Sequence, residues 1–96
     1  MSRRSVERQL AELGERLRHL RAELAIADEH LAHFSSEADD ARLRALVSET
    51  PLAQHERREA EKHADAMRRH RAEVQAEILQ LERMQDQLLD RFLSGG

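Results

Sequence analysis

Six histidines (His19, His30, His33, His55, His63 and His70) are the most chemically versatile side chains in this 96-residue chain. His30 and His33 share a helical face at i, i+3, and Glu23 and Glu37 fall near the flank that holds His30, His63 and His70. Imidazoles and carboxylates are the ligand types of a zinc site. No HExxH pair and no close-spaced set on one turn is present, so no metal is expected. The simpler expectation is solvated positions at the edge of a helical seam. A second is a pH-sensitive seam, because clustered imidazoles repel one another once protonated near pH 6. Ser35, Ser36 and Ser48 lack a nucleophile elbow, and no glycine-rich phosphate loop occurs. The chain is therefore expected to have no catalytic residue and no cofactor. Arg68-Arg69-His70-Arg71 could touch phosphate, but no aromatic is interleaved for base stacking. With a net charge of −3, nucleic acid is not an expected partner.

These residues sit on a strict heptad pattern. In the first half the apolar stripe is Val6, Leu10, Leu13, Leu17, Leu20, Leu24, Ala27, Leu31, Phe34, Ala38, Ala41, Ala45. In the second half the stripe continues as Ala53, Arg57, Ala60, Ala64, Met67, Arg71, Val74, Ile78, Leu81, Gln85, Leu88, Phe92, with Arg57, Arg71 and Gln85 as its polar members. Both step by four and three without a slip. Each position in one half pairs with one in the other whose number adds to 98, giving layers such as Leu10–Leu88, Leu17–Leu81, Leu24–Val74 and Leu31–Met67. The pattern predicts an all-α fold, an antiparallel coiled-coil hairpin.

The turn has its own signals. Pro51, the only proline, suits the first turn of a helix, and Thr50 before it is a suitable N-cap. The expected division is a long arm over about residues 3–47, a turn at 48–50 and a second long arm over 51–93. Residues 1–93 then form one hairpin domain, with 94–96 as a flexible tail; the diglycine end resembles that of ubiquitin-like modifiers in those two residues alone. Arms of this length run about 65 Å at 1.5 Å per residue. Folding back at residue 49 also matches opposite charges across the flanks: Arg16–Glu77, Arg21–Glu82, Asp28–Arg68, Arg42–Glu61 and Arg44–Glu56. Such pairs select register and orientation more than they stabilise. Ser36-Glu37-Ala38-Asp39 resembles a helix start, which leaves open a break at 35–36 and a separate short helix over 37–47.

Composition agrees with long helices. Charged residues make up 36% and aromatics 2%, with no Trp, Tyr or Cys. Too few aromatics are present for a compact mixed core. No disulfide can form, no apolar run reaches the roughly 20 residues of a membrane span, and no secretory leader follows Met1. The expected location is the cytoplasm. Fifteen arginines against one lysine suggest a GC-rich, bacterial coding sequence.

Leu43, Leu46, Val47 and Leu52 lie off the seam, beside the turn. Exposed aliphatic clusters mark interaction surfaces. Leu79, Met84, Leu89 and Leu93 are off the seam at the other end. The expected function is a non-catalytic interaction or adaptor module that binds another protein, or self-assembles into a dimer such as a four-helix bundle. The predicted shape also resembles the coiled-coil finger of bacterial transcript-cleavage factors, which enters the RNA polymerase secondary channel. That resemblance implies a small transcription regulator acting through the hairpin tip. Those factors have an acidic pair at the tip and a globular second domain. In this chain Glu49 alone is at the turn, Asp39 and Asp40 lie about 15 Å back, and 96 residues leave no room for a second domain.

Overall fold

The computed structural model describes residues 2–95. Two helices account for nearly all of them: α1, Arg3–Ser48, and α2, Pro51–Leu93. No strand occurs among the described residues. Ser2 caps α1: its Oγ accepts from the Ser5 N–H at 3.1 Å and its carbonyl from the Val6 N–H at 3.1 Å. Thr50 caps α2 in the same way, its Oγ1 accepting from the Ala53 N–H at 3.1 Å and its carbonyl from the Gln54 N–H at 3.0 Å. Pro51 takes the first helical position, where its missing N–H costs nothing. At the far end Gly95 is left-handed, φ 68°, and its N–H reaches the Phe92 carbonyl at 3.4 Å. A glycine in this conformation just past a helix closes its last turn without a Cβ clash. Gly96, the second half of the diglycine end, lies outside the described residues.

The chain divides into two packed units. The first combines residues 2–24 with 74–95, so that the start of α1 and the end of α2 run antiparallel. Its core is Leu17, Leu20, Val74 and Ile78, with Leu24 and Leu81 packed against it. Val6 and Leu88 are buried as well. Arg16 meets Glu77 at 2.9 Å on one flank, and Arg21 meets Glu82 at 3.1 Å on the other. The Arg3 guanidinium stands 4.3 Å from the centre of the Phe92 ring.

The second unit spans residues 25–73 and includes the turn. Its buried residues are alanines: Ala27, Ala38, Ala41, Ala45, Ala53 and Ala64. Alanine buries little area but lets helix backbones approach closely, so contact here comes from proximity rather than bulk. Phe34 is the aromatic side chain of this seam, which also holds Leu31 and Met67. It lies between His63, stacked at 5.7 Å, and His33, edge-on at 5.3 Å. Arg57 occupies a seam position and stays half-buried by bonding Gln54 Oε1 at 3.0 Å and Glu61 Oε2 at 3.1 Å. Gln54 in turn donates to the Ala45 carbonyl at 3.4 Å, which also accepts from the Glu49 N–H at 3.1 Å.

All 24 heptad positions come out buried or half-buried. The break at 35–36 does not occur. Ser35 and Ser36 lie inside α1, and 37–47 continues the same helix. Phe34, Ala38 and Ala41 keep the seam in phase through this stretch, and packing of a continuous stripe outweighs the weak local preference of serine for a cap. Two flanking pairs also differ from expectation. Asp28 bonds Arg71 rather than Arg68, and Arg68 turns to Asp65 at 2.6 Å, one turn away on its own helix. Arg44 and Glu56 face a shared groove instead of forming an ion pair.

Candidate functional site

The turn end of the second unit is the candidate interaction site. α1 ends with Glu49 in the left-handed region, φ 51°, and its N–H bonds the Ala45 carbonyl at 3.1 Å. This conformation reverses the chain in two residues. It is unfavourable for a side chain other than glycine or asparagine. The reversal leaves Leu43, Leu46, Val47 and Leu52 between 61% and 85% exposed.

Helical phase distributes these four residues around the end. Val47 continues the flank of Glu37, Asp40 and Arg44, and Leu52 closes that flank from α2. Leu46 falls on the opposite flank, in line with Asp39 and Arg42. Leu43 points along the outer side of α1. By phase the aliphatics are therefore spread around the turn end, over both flanks and the outer side, rather than forming one flat patch.

The Val47–Leu52 flank opens into a groove of about 490 Å³. Ala41 and Ala60 make its floor. Glu37, Asp40, Glu56 and Glu59 supply carboxylates on its walls, with Arg44, His55 and His63 among them. Lys62 pairs with Glu59 at 3.4 Å, and His33 Nε2 lies 3.3 Å from Glu37 Oε1. A second hollow on the opposite flank, about 270 Å³, is bordered by Asp39, Arg42, Glu61, Asp65 and Arg68. Its charges are largely satisfied within the chain, Arg42 holding both Asp39 at 3.5 Å and Glu61 at 3.7 Å. The first groove is the more acidic and less compensated of the two.

The histidines do not converge. His63 is stacked on Phe34, His33 touches the same ring, and His19 pairs with Glu15 at 3.2 Å. Among the described residues no group of three or more His, Asp or Glu is placed to hold a metal ion. Sequence reasoning missed the sandwich around Phe34. The signal was present: His63 falls within one residue of the fold-back partner of Phe34, and His33 is adjacent to it. No helix among the described residues is long and apolar enough to cross a membrane. No known family, no curated protein and no solved structure matches the chain.

Proposed function

We propose that this hairpin is a non-catalytic interaction module that engages another protein through its turn end. The observation that carries this reading is the set of Leu43, Leu46, Val47 and Leu52, left exposed where the seam is already filled by alanines. Covering these side chains is worth roughly 1.5 kcal/mol each, or about 6 kcal/mol together. Micromolar binding needs about 8 kcal/mol net of association costs. The aliphatic set is therefore insufficient alone, and the adjoining groove is expected to contribute. Its carboxylates favour a partner with an apolar socket rimmed by basic groups.

The test is the double substitution Leu46→Glu with Val47→Glu. Both residues are exposed, so helicity by circular dichroism and mass by light scattering should be unchanged. Capture of the partner from cell extract should be lost. A folded variant of unchanged mass that still recovers the same protein would remove the tip from consideration. Loss of helix or of mass would mean that these residues pack against the chain or a copy of it.

A second reading is a small transcription regulator acting on RNA polymerase through the same tip. What favours it is Glu49, a carboxylate standing at a left-handed position where glycine would be less strained. Recovery of RNA polymerase by the wild-type chain, abolished by Glu49→Gly with the fold intact, would select it over the general reading.

A further inference from the structure

Gly14 lies in the middle of α1, where glycine is the least favourable residue after proline. Glycine is normally kept for a positive φ or for a close approach. Neither applies within this chain: the backbone is helical, and a Cβ built at Gly14 meets nothing within 4 Å. The gap opens on the flank marked by the Arg21–Glu82 ion pair. Gly14 is seven residues before Arg21, and Leu89 is seven after Glu82. The next heptad along that flank therefore sets Gly14 level with Leu89, whose side chain is 38% exposed and leaves the gap unfilled.

Each helix of this unit carries a second heptad stripe on the same flank. On α1 it is Ala11, Gly14, Arg18, Arg21, small at one end and basic at the other. On α2 it is Glu82, Asp86, Leu89, Leu93, acidic and then bulky. Within one chain small lies beside bulky and basic beside acidic, on neighbouring helices. A two-fold axis parallel to the helices would lay α1 of one copy over α2 of another. Leu89 and Leu93 of each would then cover Gly14 and Ala11 of the other, and Arg18, which pairs with Glu15 one turn away at 2.9 Å, would face Asp86 of the other copy, while Arg21 and Glu82 keep their pair within each chain. The match is reciprocal in both size and charge, as an isologous interface requires.

We infer that the flank containing Gly14 and Leu89 is a self-association surface, pairing two copies into a four-helix bundle with Leu89 of each seated over Gly14 of the other. It is separate from the turn end, and a partner bound there would meet a two-headed module.

Sedimentation equilibrium of the full chain should give a dimer. Gly14→Leu fills the gap, so it should raise the helical signal yet convert the dimer to monomer. A merely unhelpful glycine would instead give a more stable chain of unchanged mass. The absence of cysteine permits a second test that does not depend on the stability of any variant. Chains with Gly14→Cys mixed with chains with Leu89→Cys should oxidise to dimers of unlike chains, while either alone should not cross-link. A monomeric wild type, cross-linking only between like chains, or loss of the dimer in the Leu46→Glu, Val47→Glu variant would each overturn the proposal. The last result would place self-association at the tip.

Discussion

Replacing Leu17 by alanine tests the seam where it is tightest. Leu17 is fully buried, at 0% exposure, in the cluster with Leu20, Val74 and Ile78. The change removes roughly three methylene equivalents, about 2.4 kcal/mol of transfer free energy at ~0.8 kcal/mol each. The void left behind adds to this, and measured core replacements of this kind cost about 2.7–5 kcal/mol. A seam between two helices can close partly, so about 3 kcal/mol is the expected cost. Urea unfolding followed by circular dichroism would read it. With a slope near 1 kcal/mol per molar for a chain of this size, the midpoint should fall by about 3 M. Leu43→Ala is the control, because Leu43 is 61% exposed. Its midpoint should move by less than about 0.5 M, in line with surface substitutions generally. Both variants should be compared at one protein concentration, since self-association adds to apparent stability. Equal losses in the two variants would refute the assignment of inner and outer faces.

The turn yields two further expectations. Thr50→Ala removes the acceptor of the Ala53 N–H and should cost about 1 kcal/mol, read as a lower Tm. Glu49→Gly relieves a left-handed glutamate and should raise Tm, by about 3 °C if the gain is ~0.5 kcal/mol; an unchanged or lower Tm would mean that the φ of 51° carries no strain. On the flank, a double-mutant cycle on Arg16 and Glu77 should return a coupling of only about 0.3 kcal/mol, because both side chains are near half exposed, and 1 M salt should erase it. A coupling above about 1 kcal/mol that survives salt would show a desolvated pair.

The hairpin was legible because one signal repeats many times. Each of the two stripes specifies a phase at a dozen positions, and an error at one, such as Arg57 or Gln85, does not shift the rest. Thr50-Pro51 added a signal independent of hydrophobicity and fell at the fold-back point. Local cues were less reliable. Ser36 carried the chemistry of a cap yet lies mid-helix, because a cap preference of about 1 kcal/mol competes with continuous packing on both sides. Ion pairs between the helices were read correctly for Arg16–Glu77, Arg21–Glu82 and Arg42–Glu61. Asp28–Arg68 failed, since Asp65 offers Arg68 a partner one turn away and Arg71 also reaches Asp28. The aliphatic residues of the turn end were identified from their phase, but their distribution around it was not. That distribution depends on where the reversal falls, and the left-handed Glu49 sets it. Gly14 is silent in the sequence, because a glycine is informative only once its surroundings are known to be empty.

The alanine seam beside the turn also bears on the order in which the chain folds. Ala45 and Ala53 are eight residues apart, whereas Leu20 and Ile78 are separated by 58. Closing the longer loop directly costs about 1.7 kcal/mol more in chain entropy than closing the shorter one. The contacts that are cheapest to form are thus the weakest, and the strongest are the most remote along the chain. Closure is expected to start at the turn, with a marginal alanine-lined nucleus, and to run outward to the leucine layers. In such a sequence of events, weakening the Thr50 cap slows folding, while truncating Leu17 chiefly speeds unfolding.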